Sequence, residues 1–290
     1  MKKALVTGGT GALGRAVIAR MKKLGSYDII AAGRQYRNDD PSGIRCDVRD
    51  PEQLSAAFDQ AKPDLVLHLA ATFSGDLPEA YSTNVAPAQH ILDWVQRKGL
   101  KTRIILIGSA AEYGVVSPVE NPIREDHVLA PVSVYGISKA WQTQLLGLYA
   151  YQGVEVVCAR VFNLYGPGIS DRLFVGRLQH QINEVVARKR SIIDVGPLSA
   201  IRDYLSTDEA ATQLLTIAAL GVSGRVYHVA SGVPVTVRDI LMRHLEAHGL
   251  DLSIVREAPS LSNRNGYDVP AIFADMTKTN QLETAGGGNA

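Results

Sequence analysis

Thr7-Gly8-Gly9-Thr10-Gly11-Ala12-Leu13-Gly14 is the stretch that decides the fold. It follows an apolar run at residues 4–7 and opens a helix-period stretch whose stripe is Leu13, Ala16, Val17, Ala19 and Leu24. Gly8, Gly11 and Gly14 let the backbone turn tightly and approach a pyrophosphate, and the free N–H groups of the helix start face the same anion. The spacing is Gly-x-x-Gly-x-x-Gly, and a glycine triplet by itself marks many plain turns. The strand before it and the helix after it turn the triplet into a dinucleotide cradle, with Thr10, Ala12 and Leu13 in the same loop.

Outward from the cradle the pattern repeats. Strand-like runs at residues 28–32, 44–46, 65–69, 104–107 and 154–160 alternate with helical stretches such as Leu54, Ala57, Phe58 and Ala61. The runs are nearly continuous in Val, Ile and Leu, as in a parallel sheet covered on both faces. Six strands with five crossovers predict an α/β, Rossmann-type doubly wound sheet over residues 1–160. Beyond residue 160, Gly and Pro cluster at Gly166-Pro167-Gly168 and Gly196-Pro197, strand-like runs at 191–195 and 225–230 become isolated, and helical runs persist at 173–188, 208–220 and 237–248. Residues 161–290 are expected to form a smaller mixed α/β lobe at the carboxyl ends of the strands, with some exchange of segments across the boundary. The final run, Ala285–Ala290 by number, reads AGGGNA and is expected to be a flexible tail.

Composition sets outer limits. The 290 residues are 46% hydrophobic and 20% charged, which excludes a disordered, collagen-like or coiled-coil chain. Thirty Lys+Arg against 29 Asp+Glu leave +1, so no global field advertises nucleic acid or an anionic membrane. Any anionic ligand must meet a local cluster. No apolar run approaches the ~18 residues of a membrane span. A strand is read within a few residues of Met1, so no signal peptide is expected. Cys46 and Cys158 are too few and too apolar in setting for a disulfide framework, so a reducing cytoplasm is expected.

The second strand ends in Ala31-Ala32-Gly33-Arg34-Gln35, with no acidic residue for a ribose 2′-hydroxyl. Arg34 can meet a 2′-phosphate instead, with Arg15 and Arg37 as helpers, so NADP(H) is favoured over NAD(H). Asp47 and Val48 end the third strand near an adenine edge, and Leu69-Ala70-Ala71-Thr72 offers small residues beside the cofactor. Tyr135 and Lys139 are one helical turn apart and can point into one site. A free phenol has a pKa near ~10, and a nearby ammonium is expected to lower it, making Tyr135 a general acid for a carbonyl. Ser109 follows an apolar strand, at the sheet end where ligands bind, and can hydrogen-bond the same carbonyl oxygen.

Cradle, Ser109 and the Tyr135/Lys139 pair, in this order and spacing, resemble the extended short-chain dehydrogenase/reductase family of nucleotide-sugar enzymes. The resemblance runs over nearly the whole chain and implies further roles. It makes Asn84 a structural asparagine on the cofactor side, where Val161 also lies. In Val161-Phe162-Asn163-Leu164-Tyr165-Gly166-Pro167-Gly168 it puts Asn163 near the sugar, with Ala110, Ala111, Phe174 and Val175 on the substrate side. It assigns Arg202 in Ile201-Arg202-Asp203-Tyr204 to the nucleotide diphosphate, and Asp268-Val269-Pro270 with Asp275 through Lys278 to a late substrate-side motif. The family's late arginine position is Asn265 here, with Arg264 one place earlier.

Within the family, 4,6-dehydratases carry an acidic residue two positions after the catalytic Ser/Thr. Ala111 stands there, and Glu112 is one place too late, so it is expected to make a solvent or structural contact. Epimerase/reductases of the GDP-fucose synthase type use a cysteine near this segment, and neither cysteine is there. Simple 4-keto reduction and NAD-dependent 4-epimerisation both need only Ser109, Tyr135, Lys139 and a nicotinamide. Arg34 and the likeness of the 108–114 segment to that of GDP-4-keto-6-deoxymannose reductases favour NADPH-dependent reduction of a nucleotide-linked 4-keto-6-deoxy sugar. A regulator that only senses a dinucleotide would lack part of the triad, which is intact here. The partners expected are a nucleotide-diphosphate sugar and a second copy of the chain, the latter through helix 83–96 and the helix after Pro131. No metal is expected: His244 and His248 have ligand spacing but no obvious third ligand, and read as a polar helix face.

Overall fold

The computed structural model describes residues 1–36, 43–258 and 269–286. Its first half runs β1 (Lys2–Thr7), α1 (Ala12–Leu24), β2 (Tyr27–Gly33), β3 (Gly43–Arg45), α2 (Pro51–Ala61), β4 (Leu65–His68), α3 (Leu77–Ala80), α4 (Ala86–Lys98), β5 (Arg103–Ser109), α5 (Val134–Tyr151) and β6 (Val156–Val161). The rest is β7 (Asn163–Tyr165), α6 (Phe174–Val186), β8 (Ile193–Val195), β9 (Ile201–Ser206), α7 (Thr207–Leu220), β10 (Val226–Val229), β11 (Pro234–Thr236), α8 (Val237–Glu246), β12 (Val255–Glu257) and α9 (Thr277–Gly286). Local chemistry sets the helix ends. Asp50 caps α2 ahead of Pro51, Ser133 caps α5, and Ser206 forms a capping box with Glu209 on α7.

Seven strands form one sheet in the order β10-β6-β5-β4-β1-β2-β3, every pair parallel. The order reverses between β1 and β4, where Thr7 pairs with His68, so a crevice opens at their carboxyl ends. The cradle and the 69–72 loop leave the sheet at that point. One face is covered by α2, α4 and α5 through Leu54, Phe58, Ile91, Trp94 and Leu146; the other by α1 and α7 through Val17, Met21, Leu214 and Ile217. This is the doubly wound architecture the sequence predicts.

Two features differ from that prediction. The seventh strand, β10, is the run that reads as isolated in sequence; it pairs with β6, and α7 covers the same sheet, so the sheet draws on segments from beyond residue 160. Its edge is closed by α9, where Lys278 Nζ donates to the Val226 carbonyl and Thr279 Oγ1 to the His228 carbonyl. Ala285 and Gly286, expected in a flexible tail, end α9 as helix; residues 287–290 lie outside the described residues. The remaining strands form a three-stranded sheet, β11-β9-β7, and a two-stranded one, β12-β8, the latter over a core that includes Leu178, Ile182, Val237 and Leu241. Cys46 and Cys158 are both buried and unpaired. Among the described residues no helix is long and apolar enough to cross a membrane.

Candidate active site

The cradle is built by exclusion of side chains. Gly8 has φ of 69°, and a Cβ on it would lie 2.6 Å from the Ala70 nitrogen; a Cβ on Gly14 would lie 2.3 Å from the Gly8 oxygen. The loops after β1 and β4 therefore touch backbone to backbone. Gly11 caps α1 with no side-chain hydrogen bond, which leaves the first-turn N–H groups to an outside acceptor. That arrangement fits a pyrophosphate. Arg15 bonds the carbonyls of Thr10 and Pro167 and so ties the cradle to the Gly166–Gly168 turn.

At the end of β2, Arg34 is exposed. Asp47 accepts from Arg49 Nε at 3.0 Å and Nη2 at 2.6 Å; that bond holds its carboxyl below the ordinary range, with a smaller contribution from Arg34. Val48 is half-buried beside it. Arg37, Arg264, Asn265 and Asp268 lie outside the described residues. Beyond β4, half-buried Leu69 and Ala70 and exposed Ala71 lead to Thr72. Buried Asn84, in a π-turn between α3 and α4, accepts from the Thr72 N–H at 2.8 Å and donates to the Thr72 carbonyl at 3.1 Å and to Ser138 Oγ at 2.8 Å. Its amide braces the cofactor-side loop against α5.

Ser109 ends β5, and α5 brings Tyr135 and Lys139 to it. Close approach of the two elements depends on Gly136, where a Cβ would lie 2.4 Å from the Ala111 oxygen. The Tyr135 phenol comes up to the Ser109 side chain, and its ring packs against Phe73 at a tilt of 42° with centroids 4.7 Å apart. Lys139 is buried, with Nζ donating to the Ile107 carbonyl and to Gln142 Oε1, both at 2.8 Å. Here the expected electrostatics are corrected. Burial pushes Tyr135 up to about 12, the Ser109 bond opposes this, and the Glu112 carboxylate adds to it. Lys139 does not lower the phenol, because its ammonium is turned to Ile107 and Gln142; burial pushes it down to about 8, against the pull of Glu112. The resting phenol is a protonated acid next to a hydroxyl.

Among the residues expected on the substrate side, Ala110 and Ala111 form a short turn after Ser109, whose Oγ accepts from the Ala111 N–H at 3.2 Å. Val161 is buried at the end of β6; Asn163 Nδ2 donates to the Asp203 carbonyl at 3.0 Å. Arg202, on β9, donates to the Ile201 carbonyl at 2.8 Å. Buried Asp203 accepts from Ser231, Gly232 and Ala274 and thereby ties two segments, one after β10 and one before α9, to β9. A cavity of about 430 Å³ lies between α6, β8 and β12, lined by Phe174, Arg177, Gln181, Asp194, Val195 and Arg256 among others. Val175 is buried. His244 and His248 each hold a ring nitrogen 2.8 Å from the carbonyl one turn back.

One part of the site was not legible as such. Glu112, assigned to a solvent or structural contact, is fully buried behind Ser109 and paired with buried Arg160. Two signals pointed there: Ser109-x-x-Glu112 is a capping-box spacing, and Arg160 interrupts an otherwise apolar strand.

Known proteins resemble this arrangement. The chain is 26% identical over 226 residues to GDP-6-deoxy-D-mannose reductase of Pseudomonas aeruginosa, covering 75% of this chain and 73% of that protein. It is 26% identical over 262 residues to dTDP-6-deoxy-L-talose 4-dehydrogenase (NAD(P)(+)) of Kitasatospora kifunensis, covering 88% and 81%. UDP-glucose 4-epimerases and dTDP-glucose 4,6-dehydratases also match. The structure of RMD from Pseudomonas aeruginosa complexed with NADPH superposes with a TM-score of 0.81 at 21% identity, covering 97% of this chain and 91% of that one. The family model for the NAD dependent epimerase/dehydratase family matches residues 4–230, from the first strand of the cradle to the last strand of the sheet, and the chain belongs to that family.

Proposed function

We propose that the protein is an NADPH-dependent reductase of the 4-keto group of a nucleotide-linked 4-keto-6-deoxyhexose, giving the 6-deoxyhexose. The observation that carries this reading is the convergence of Ser109, at the carboxyl end of β5, with Tyr135 and Lys139 of α5 at the sheet end where the glycine cradle lies. When bound, the nicotinamide cofactor supplies the hydride that reduces the sugar C4 carbonyl. Ser109 orients the carbonyl oxygen, and Tyr135 gives that oxygen its proton. Lys139, held by Ile107 and Gln142, is the residue we assign to the cofactor ribose. Dehydration is disfavoured by Ala111 and by Glu112, whose two carboxylate oxygens are engaged by Ser109 and Arg160. The cavity between α6, β8 and β12 offers arginines and an aromatic ring to the nucleotide part of the substrate. The test is NADPH oxidation with GDP-, CDP-, dTDP- and UDP-linked 4-keto-6-deoxy sugars. Turnover with at least one supports the reading; no turnover with any, alongside interconversion of UDP-glucose and UDP-galactose, replaces it with epimerisation.

Exposed Arg34 and the absence of an acidic residue at the end of β2 support NADPH as the donor. A charge-assisted bond to a 2′-phosphate is worth about 1.5–3 kcal/mol. Arg34→Ala should therefore raise the KM for NADPH about 10–100-fold and leave that for NADH unchanged. Equal effects on the two cofactors in steady-state kinetics would remove this support.

We also propose a homodimer through α5. Trp141 and Leu148, 44% and 54% exposed, lie on one face of the helix, and Tyr81 meets Trp141 edge-on at 6.2 Å. Trp141→Glu should convert a dimer to a monomer in light scattering. A monomeric unaltered protein would contradict the proposal.

A further inference from the structure

We propose that Glu112 is a positioning residue that acts on the reaction through Ser109. The inference rests on the Ser109–Tyr135–Lys139 site as read above, but not on the direction of the redox step. Glu112 Oε1 accepts the Ser109 N–H at 2.6 Å. Its other oxygen accepts from Arg160 Nε at 3.0 Å and Nη2 at 2.9 Å. The carboxylate thus links the main chain of Ser109 to the strand next to it, where Arg160 sits opposite Gly108. Gly108 admits the link, since a Cβ there would lie 2.5 Å from Glu112 Oε1. Arg160 is held in turn: Nη1 donates to Tyr113 Oη at 2.6 Å and to the Glu125 carbonyl at 3.2 Å, and the guanidinium lies over the Tyr113 ring at 4.6 Å.

Capping alone does not require this construction. Ser117/Glu120, Ser206/Glu209 and Thr236/Asp239 form the same box in this protein, each with an exposed acid and none with a buried arginine. Burying an ion pair is often no more stabilising than burying an apolar pair of equal size. The pair at Glu112 stands directly behind Ser109, the serine at the end of β5 to which α5 brings Tyr135. With its N–H pinned and its strand paired to Val161, Ser109 has little freedom to carry its hydroxyl away from Tyr135. A misplacement of about 1 Å at such a group costs about 100-fold in rate.

The test compares two neutral replacements of the pair, with and without S109A. E112L/R160M removes the acceptor for the Ser109 N–H; E112Q/R160M keeps it and is the conservative rescue. For whichever nucleotide-sugar turnover the protein catalyses, E112L/R160M should lower kcat about 10–100-fold with NADPH affinity within about twofold, and E112Q/R160M should recover most of it. On top of S109A, E112L/R160M should cost less than about twofold, because the group it positions is gone. Equal losses with and without S109A, or no rescue by E112Q/R160M, would overturn the proposal. If E112L/R160M does not fold, Glu112→Asp, whose carboxylate is one methylene shorter, carries the same comparison. If the unaltered protein turns over no nucleotide sugar, the functional reading fails and crystal structures of the two double variants decide this one. A Ser109–Tyr135 bond kept with E112Q/R160M and lost with E112L/R160M supports it; the bond kept in both, or lost in both, overturns it.

Discussion

Tyr135→Phe should lower kcat by about 100–10,000-fold while leaving NADPH affinity within about twofold. The substitution removes one oxygen and nothing else that holds the site. The ring keeps its packing on Phe73, and α5 keeps its Ser133 cap. What disappears is a proton held ready at neutral pH. Burial pushes the phenol to about 12, so it stays protonated until an alkoxide develops beside it and is a poor base beforehand. Lys139 retains its bonds to Ile107 and Gln142 in the variant, so no buried ammonium is left without partners. Fluorescence titration measures the cofactor and stopped-flow NADPH oxidation the chemistry. Unchanged turnover would show that the proton comes from another group.

Gly14→Ala should weaken NADPH binding about 10–100-fold and lower the melting temperature, through crowding rather than backbone strain. Gly14 is not among the positive-φ glycines, so alanine fits its conformation. Space is the obstacle. The new Cβ would meet the Gly8 oxygen at 2.3 Å, the Gly9 Cα at 2.7 Å and the Gly9 carbonyl carbon at 2.9 Å. All three are backbone atoms of the cradle, and none can swing aside as a side-chain end can. Relief comes only by opening the loop that the pyrophosphate is expected to occupy. Gly25 is the control: its Cβ would meet nothing within 4 Å, but its φ of 64° is strained for alanine. Gly25→Ala should therefore cost stability and spare NADPH affinity. Isothermal titration separates the two; equal affinity of Gly14→Ala and the unaltered protein would count against the cradle assignment.

Legibility in the sequence followed the range of the forces involved. The sheet was readable because its strands are short continuous apolar runs bounded by turn residues, and the cradle because glycine spacing is a local steric code. Ser109, Tyr135 and Lys139 were nameable because strand ends and a helical i, i+4 spacing place side chains without any tertiary detail. The electrostatics were not. That Lys139 faces the Ile107 carbonyl instead of the phenol depends on α5 lying close against the turn after β5 at Gly136, and the bond joins residues 32 apart in the chain. Membership of β10 in the main sheet was hidden for a similar reason. A four-residue strand carries no mark of its partner, and Val226–Val229 joins β6 only because α7 returns the chain across the sheet. Of the two roles expected for Glu112, solvent or structural contact, the structure shows the structural one; its depth was not legible, because its charge is tolerated inside only where Arg160 from the neighbouring strand meets it.

The central claim is that hydride passes from the cofactor to C4 of the sugar and stays there. It is tested most directly by supplying NADPH deuterated at both C4 positions with the nucleotide-linked 4-keto sugar and analysing the product by NMR. One deuterium at the sugar C4 and one NADP⁺ formed per sugar reduced are expected. The 4-keto sugar recovered with no NADPH consumed, or a C4 alcohol carrying no deuterium, would contradict the claim.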